Sequence, residues 1–389
     1  MGNDTPKLTD DQVLEYASRG LDAHLPLFAE GYKCTTEDLL HILLVAAARQ
    51  CTIESACAEL NSGPGAETVR QYLNEQLTPE HLPELETSLN EALVSQVPER
   101  LWRKDQDIAV DLHDRPYYGK TSQEEGLWIR SKAKDGTTHF YRVATAYVIH
   151  KGLRVTLALR FYLPTDSIVG VLEMLVERVK ALGIGINRLF LDKGFAGIDA
   201  QTYLYESGTP AVIACSIRGK TGGIRALCQG NKSYSTTHTF RNRTDKKEFT
   251  ANVAVCRVFT TNKRTGRMKR RAEWLVFILI HVDLAPKQAR RLYQRRFGVE
   301  TSYRCAGQVR AWTTTKNPAV RFVLIGLSFF LLNVWLHLRW LYTQVPRRGR
   351  RRLDTKRFTL ARFARFIISA VERRYGCIRE IIAPAVPIP

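Results

Sequence analysis

The sequence predicts an α/β protein whose mixed sheet is flanked by helical regions at both ends of the chain. Three observations carry this. Two successive segments rich in Val, Tyr, Thr and Leu run over 138–149 and 153–163. An amphipathic helix and a short apolar strand follow over 167–191. Helical periodicity fills the first hundred residues and returns after Pro318.

In chain order, Leu39, Leu40, Leu43, Leu44 and Ala47 recur at helical spacing. Residues 52–60 and 66–77, with Asn61-Ser62-Gly63-Pro64-Gly65 between them, read as helix, turn, helix. The second helix offers only Arg70 beside Glu67 and Glu75. It reads as ordinary helical packing before it reads as a DNA reader. Ile108-Ala109-Val110 is a strand that runs into Asp111. Lys151-Gly152 is a hairpin turn between the two β-rich segments. Leu172, Leu175, Val176, Val179 and Leu182 form one face of a helix, and Leu189-Phe190-Leu191 ends at Asp192. Residues 211–217, 253–260 and 273–282 are β again. A helix starts near Ala285-Pro286 and is expected to continue to Cys305. Residues 322–338 carry no formal charge, yet contain Asn333 and His337 and are flanked by Arg321 and Arg339. They read as a core helix rather than a membrane span.

The net charge is +20, and it is unevenly spread. Residues 1–100 hold 17 acidic and 6 basic side chains, so the remainder carries the whole basic excess. Within it, 218–271 has 15 basic residues against Asp245 and Glu248, and 346–380 has 12 against 3. Fields of this kind suit a polyanion such as double-stranded DNA, whose condensed counterions are released on binding. The composition excludes disorder and a collagen-like chain. The acidic start is unlike a signal segment, so the expected location is cytoplasmic, with no membrane partner. Eight scattered cysteines lack any Cys-x-x-Cys pair, and no His-Glu-x-x-His occurs, which argues against zinc.

In so basic a chain, carboxylates at the ends of apolar strands stand out. Asp111 and Asp192 are two. Glu300 is a third, alone among seven Arg and Lys between Lys287 and Trp312. On a continuous helix Tyr293, Arg296, Glu300 and Arg304 would fall within roughly 80° of one another. Three such carboxylates can hold two divalent ions about 3.5–4 Å apart for in-line phosphoryl displacement. Oxygen-only donors favour Mg²⁺ or Mn²⁺.

The order Asp111, Asp192, Glu300 resembles that of prokaryotic insertion-sequence DDE transposases. Tyr293-x-x-Arg296-x-x-x-Glu300 is similar to the first three positions of the Y-x2-R-x3-E-x6-K signature, which marks the superfamily named for insertion sequence four. Asp192-Lys193-Gly194-Phe195 resembles the motif around the second Asp. His113-Asp114-Arg115-Pro116-Tyr117-Tyr118-Gly119 resembles a stretch found in archaeal and bacterial members. The signature's Lys falls on Gly307, so its phosphate-gripping role passes to Arg304 or Arg310, or is missing. Asp114 lies three residues beyond Asp111 and competes with it as first Asp.

The resemblance implies a ribonuclease H-like core at 101–205 and 285–345, with an inserted β-rich domain at 206–284. A helical N-terminal domain at 1–100 and a basic helical region at 346–389 complete the expected organisation. The implied activity is metal-dependent cleavage of DNA at the element's terminal inverted repeats, then strand transfer into target DNA by a synaptic homodimer. Asp111, Asp192 and Glu300 would hold the ions. Tyr293, Arg296 and Arg304 would orient Glu300 or contact phosphates, and Lys269, Arg270 and Arg271 would grip DNA. Trp274 would either stack on a flipped base or pack into the sheet. Two other classes remain open: a non-catalytic DNA-binding descendant of a transposase, and a metal-dependent nuclease without strand transfer.

Overall fold

The computed structural model describes residues 7–95, 97, 104–119, 127–150, 153–242, 246–259, 272–345 and 352–380; for residues 150, 153, 297–300 and 352 only the backbone is described. The chain divides into two compact units, Met1–Val97 with Tyr303–Pro389, and Pro98–Ser302.

The first unit opens with a reciprocal cap. Thr9 Oγ1 accepts from Gln12 N at 3.2 Å and Gln12 Oε1 accepts from Thr9 N at 3.0 Å, which starts α1 (Asp10–Asp22). A two-residue ribbon, β1 (Glu30–Gly31) and β2 (Cys34–Thr35), leads to α2 (Thr36–Arg49), every residue of which from Leu39 to Ala48 is buried. Then come α3 (Ile53–Ala58), α4 (Ala66–Gln76) and α5 (Leu82–Ser95). Arg70 of α4 is paired with Glu54 and Glu67, so this helix presents little free positive charge.

The second unit is built on one sheet of nine strands among the described residues. β3 (Gln106–Pro116) lies within it, with a neighbour on each side. β4 (Ile129–Lys134), β5 (Thr137–His150) and β6 (Leu153–Tyr162) follow. β3 lies antiparallel to β5, from Asp107 opposite Ile149 to Pro116 opposite Phe140. The other edge of β5 takes β4 near Phe140 and β6 from Arg142 onward. After α6 (Ile168–Ala181), capped by Ser167, the chain returns as β7 (Ile186–Leu191), parallel to β3. α7 (Ile198–Glu206) then leads to β8 (Ala211–Cys215), parallel to β7. The sheet thus changes from antiparallel to parallel at β3.

After the short α8 (Gly223–Leu227) come β9 (Tyr234–Arg241), β10 (Glu248–Val258) and β11 (Glu273–Ile280). These strands of the 206–284 segment continue the same sheet. β11 pairs antiparallel with β8, Val276 opposite Cys215 through Ile280 opposite Ala211, and β10 and β9 follow. The reason is visible in β11 itself: Val276 to Ile280 are all buried, a run that needs cover on both faces, and β8 would otherwise offer an unpaired edge.

The sequence predicts one helix from Ala285 to Cys305, and this does not hold. α9 (Pro286–Tyr293) gives way to a 3-10 turn, Gln294–Phe297, before α10 (Gly298–Gly307) begins. Gly298 is a weak helix former, and the tighter turn re-aims Arg295 and Arg296.

The chain then re-enters the helical unit. α11 (Pro318–Tyr342) starts with Asn317 as cap and Pro318 in its first turn, and is followed by β12 (Gln344–Val345), β13 (Arg352–Leu353) and α12 (Leu360–Tyr375). By length and composition α11 could cross a membrane, but 89% of its apolar window is buried inside the protein. It packs against α5, α2 and α1 within the helical unit, whereas the sequence places 285–345 with the core. Asn333 is satisfied in this setting, donating to Leu93 O at 2.7 Å. Gly326 permits the close approach to α5, since a Cβ there would meet Leu89 Cδ1 at 2.7 Å.

The acidic N-terminal helices and the basic C-terminal helix share this unit and pair with each other. Arg373 joins Asp10 and Asp11, Arg374 joins Glu37 at 2.6 Å, and Arg49 joins Glu372 at 2.6 Å. Tyr375 donates to Asp38 at 2.7 Å. Each exposed pair contributes only about 0–1 kcal/mol. Their value is positional, because they fix where α12 docks.

Candidate active site

The parallel pairing of β3 and β7 ends with Val110 level with Leu191. The next residue on each strand is an aspartate. Asp111 and Asp192 therefore stand side by side where the pairing of β3 with β7 stops, but only Asp192 follows a strand end. Asp111, expected from the sequence to end its strand, lies midway along β3, which runs on beside β5 to Pro116. In open α/β sheets ligands bind outside the carboxyl ends of the strands. Asp192 leaves its strand to cap a 3-10 turn, Lys193–Phe195, its Oδ1 accepting from Gly194 N at 2.5 Å. That bond fixes the carboxylate's direction and leaves Oδ2 for other partners.

Arg296 reaches both aspartates. Its Nη2 donates to Asp111 Oδ1 at 2.5 Å and lies 3.7 Å from Asp192 Oδ2. Arg296 is itself 8% exposed, and its Nε is buried without a hydrogen-bond partner among the described residues. Burial works against its charge, but Tyr293, Asp111, Asp192 and Tyr147 outweigh burial and hold its proton more tightly than usual.

Two tyrosines support this arginine. Tyr293 donates to Leu191 O at 3.1 Å, one residue before Asp192, and its ring lies between Phe190 and Phe277. Burial pushes the Tyr293 hydroxyl up to about 12, so it stays protonated and a donor. Tyr147 of β5, level with Ala109 of β3, donates to Arg296 O at 3.1 Å. Burial raises its pKa as well.

Neighbouring carboxylates are engaged differently. Asp114 is gripped by Arg142 through two bonds, of 2.6 and 3.0 Å. Asp107 receives two bonds from Arg188, one from Asn187 at 2.8 Å and one from Arg295 at 3.3 Å. Bidentate pairing of this sort occupies both oxygens of a carboxylate.

No family model matches the chain, and no curated protein matches its sequence. Among solved structures, a piggyBac transposase, determined by cryo-electron microscopy in a synaptic complex with hairpin DNA, matches with a TM-score of 0.53. The identity is 11%, and the match covers 98% of this chain and 81% of that one. The fold is similar to a transposase's.

Within this transposase-like fold, the residues singled out from sequence fall into three groups. Asp111, Asp192, Tyr293 and Arg296 come together. Trp274 does not touch them, but register puts it at the same edge of the sheet. Leu191 is level with Ile213, which is level with Ile278, and Trp274 lies four residues further toward the carboxyl end of β7. It is half-buried, opposite Arg257. Arg218, Lys220, Arg225 and Lys232 lie in the segment that leaves β8 at that edge. Beside it, Asn231, Lys232, Arg257, Phe259 and Lys287 line a cleft of about 500 Å³ with no acidic wall.

Glu300 lies in α10, and only its backbone is described. Among the described residues no three His, Cys, Asp or Glu side chains gather as a metal site. Arg304 is an exposed residue of α10 that belongs to the helical unit. Because of the 3-10 turn, the common helical face expected for Tyr293, Arg296, Glu300 and Arg304 does not form. Lys269, Arg270 and Arg271 lie outside the described residues. Sequence reasoning passed over Tyr147, Arg295 and Asp107. The only available signal was that Asp107 lies four residues before Asp111 on a strand, and so on the same face.

Proposed function

We propose that this chain is a DDE transposase that cleaves DNA at the ends of its element and joins the freed 3′-hydroxyl to target DNA. One observation carries the reading: two aspartates side by side where β3 and β7 cease to pair, both within reach of Arg296 in the segment that leads to Glu300. The similarity to a transposase solved with hairpin DNA supports it. So does the antiparallel β3–β5–β6 ladder followed by β7 and β8 in parallel, which is in keeping with a ribonuclease H-like core.

Mg²⁺ or Mn²⁺ would be held by Asp111, Asp192 and Glu300. The fit rests on the donor set: oxygen ligands alone, and a position between two carboxylates that already accepts positive charge from Arg296. Such ions supply activation of water or a 3′-hydroxyl and stabilise the leaving oxygen. The chain's own residues do the rest. Gly194 N and Tyr293 set the direction of Asp192, and the basic edge near Lys232 and Arg257 neutralises phosphates. Trp274, at the same edge, would stack on a base. A synaptic homodimer would work on one DNA end per active site.

The test is strand cleavage of an end-containing duplex with Mg²⁺, followed by joining of a pre-cut end with a free 3′-hydroxyl. Wild type is expected to do both, and Glu300→Gln neither. Cleavage without joining would make the protein a nuclease. Gly307 in place of the signature's Lys favours a second reading, a non-catalytic DNA-binding descendant. That reading requires DNA to bind and stay intact.

A further inference from the structure

We propose that Arg296 is a resident counter-cation which holds the Asp111–Asp192 pair together in the metal-free protein and must give up Asp111 when a divalent ion binds. The inference rests on the metal-binding reading above and concerns how that site is kept ready. Two carboxylates on adjacent strands repel each other. Arg296 removes that difficulty by placing one nitrogen, Nη2, between them, 2.5 Å from Asp111 and 3.7 Å from Asp192. A divalent ion bridging the same carboxylates would have to occupy that position. Guanidinium and metal therefore exclude each other at Asp111.

The surroundings make the exchange feasible. Asp107 and Asp114 are each held by an arginine through two bonds, whereas Arg296 is asymmetric, close to one aspartate and distant from the other. Its Nε has no hydrogen-bond partner among the described residues to restrain rotation. The backbone of Arg296 stays anchored by the Tyr147 hydroxyl on its carbonyl, so the side chain can pivot without the turn moving. After displacement the guanidinium remains beside the site, where an incoming phosphate can accept its donors.

The experiment is Mn²⁺ binding by calorimetry, with Mn²⁺-dependent thermal stabilisation alongside, for wild type, Arg296→Gln and Arg296→Lys. Arg296→Gln is expected to bind Mn²⁺ roughly tenfold more tightly and to gain more from it on melting. Arg296→Lys should fall between. Equal or weaker binding in both folded variants would overturn the proposal. Should the variants fail to fold, side-chain nitrogen resonances of Arg296 in wild type report directly. Added Mg²⁺ must shift them, and must not in Asp111→Asn; an unmoved Arg296 in Mg²⁺-saturated wild type overturns the latch. Absence of any Mn²⁺ binding, in wild type and in Arg296→Gln alike, is a different failure, that of the metal-binding reading itself.

Discussion

The start and the middle of β3 carry the same chemical group in opposite circumstances. Asp107, near the start, is 7% exposed and surrounded by Arg188, Arg295 and Asn187. Asp111, four residues on and on the same face, is more open and shares one guanidinium with Asp192. Consecutive residues of one 3-10 turn serve both, Arg295 the first and Arg296 the second. A carboxylate whose oxygens are all paired holds a structure together. A pair that shares a guanidinium is a place where other positive charge can go.

Substitutions can break that contrast, and the largest effect is expected at Asp111. Asp111→Asn should lower metal-dependent strand cleavage by roughly a thousandfold or more, with a smaller loss of melting temperature because buried Arg296 loses the charge of its nearest carboxylate. A single-turnover assay beside a melting curve reads both, and retained cleavage would move the first-Asp role elsewhere. Asp107→Ala should cost about 3 kcal/mol, because it leaves Arg188 half-buried without its partner. Denaturant unfolding measures this, and a loss under 1 kcal/mol would show Asp107 to be dispensable. Tyr293→Phe keeps the ring between Phe190 and Phe277 but loses the bond to Leu191 O, for about 1 kcal/mol. Its cleavage rate should fall more than its stability, since that bond steadies the residue next to Asp192. Smallest should be Asp114→Asn, up to about 1 kcal/mol, as the pair with Arg142 is partly exposed. If Asp114→Asn removed cleavage and Asp111→Asn did not, the contrast drawn along β3 would be reversed.

A run such as Leu189-Phe190-Leu191 that stops at a charge was readable as a strand end, but Ile108-Ala109-Val110 misled, because β5 pairs with β3 well past Asp111, to Pro116. The Tyr293-to-Arg296 spacing was readable as a motif. The helix break between them was not, since helical periodicity cannot see a turn tightened by tertiary contacts at Asp107 and Asp111. Tyr147 looked like any other aromatic strand residue, because its partner, the carbonyl of Arg296, is 149 residues away. The place of α11 was hidden for the same reason: an apolar helix advertises that it is buried, not against what. Likewise, charge counting separated an acidic start from a basic end, but could not reveal that Arg373 and Arg374 neutralise Asp10, Asp11 and Glu37.

The helical unit is made from the first and last parts of the chain, with residues 98–302 between them. On the ribosome its first five helices emerge long before α11 and α12 exist. At about 5–20 residues per second, the intervening stretch delays the partner helices by roughly ten to forty seconds. Throughout that interval the apolar surface of α2 and α5, later covered by α11, has no partner from its own chain. Nascent molecules therefore depend on chaperones in proportion to translation time, and a pause within residues 98–302 lowers the yield of folded protein without altering a single residue.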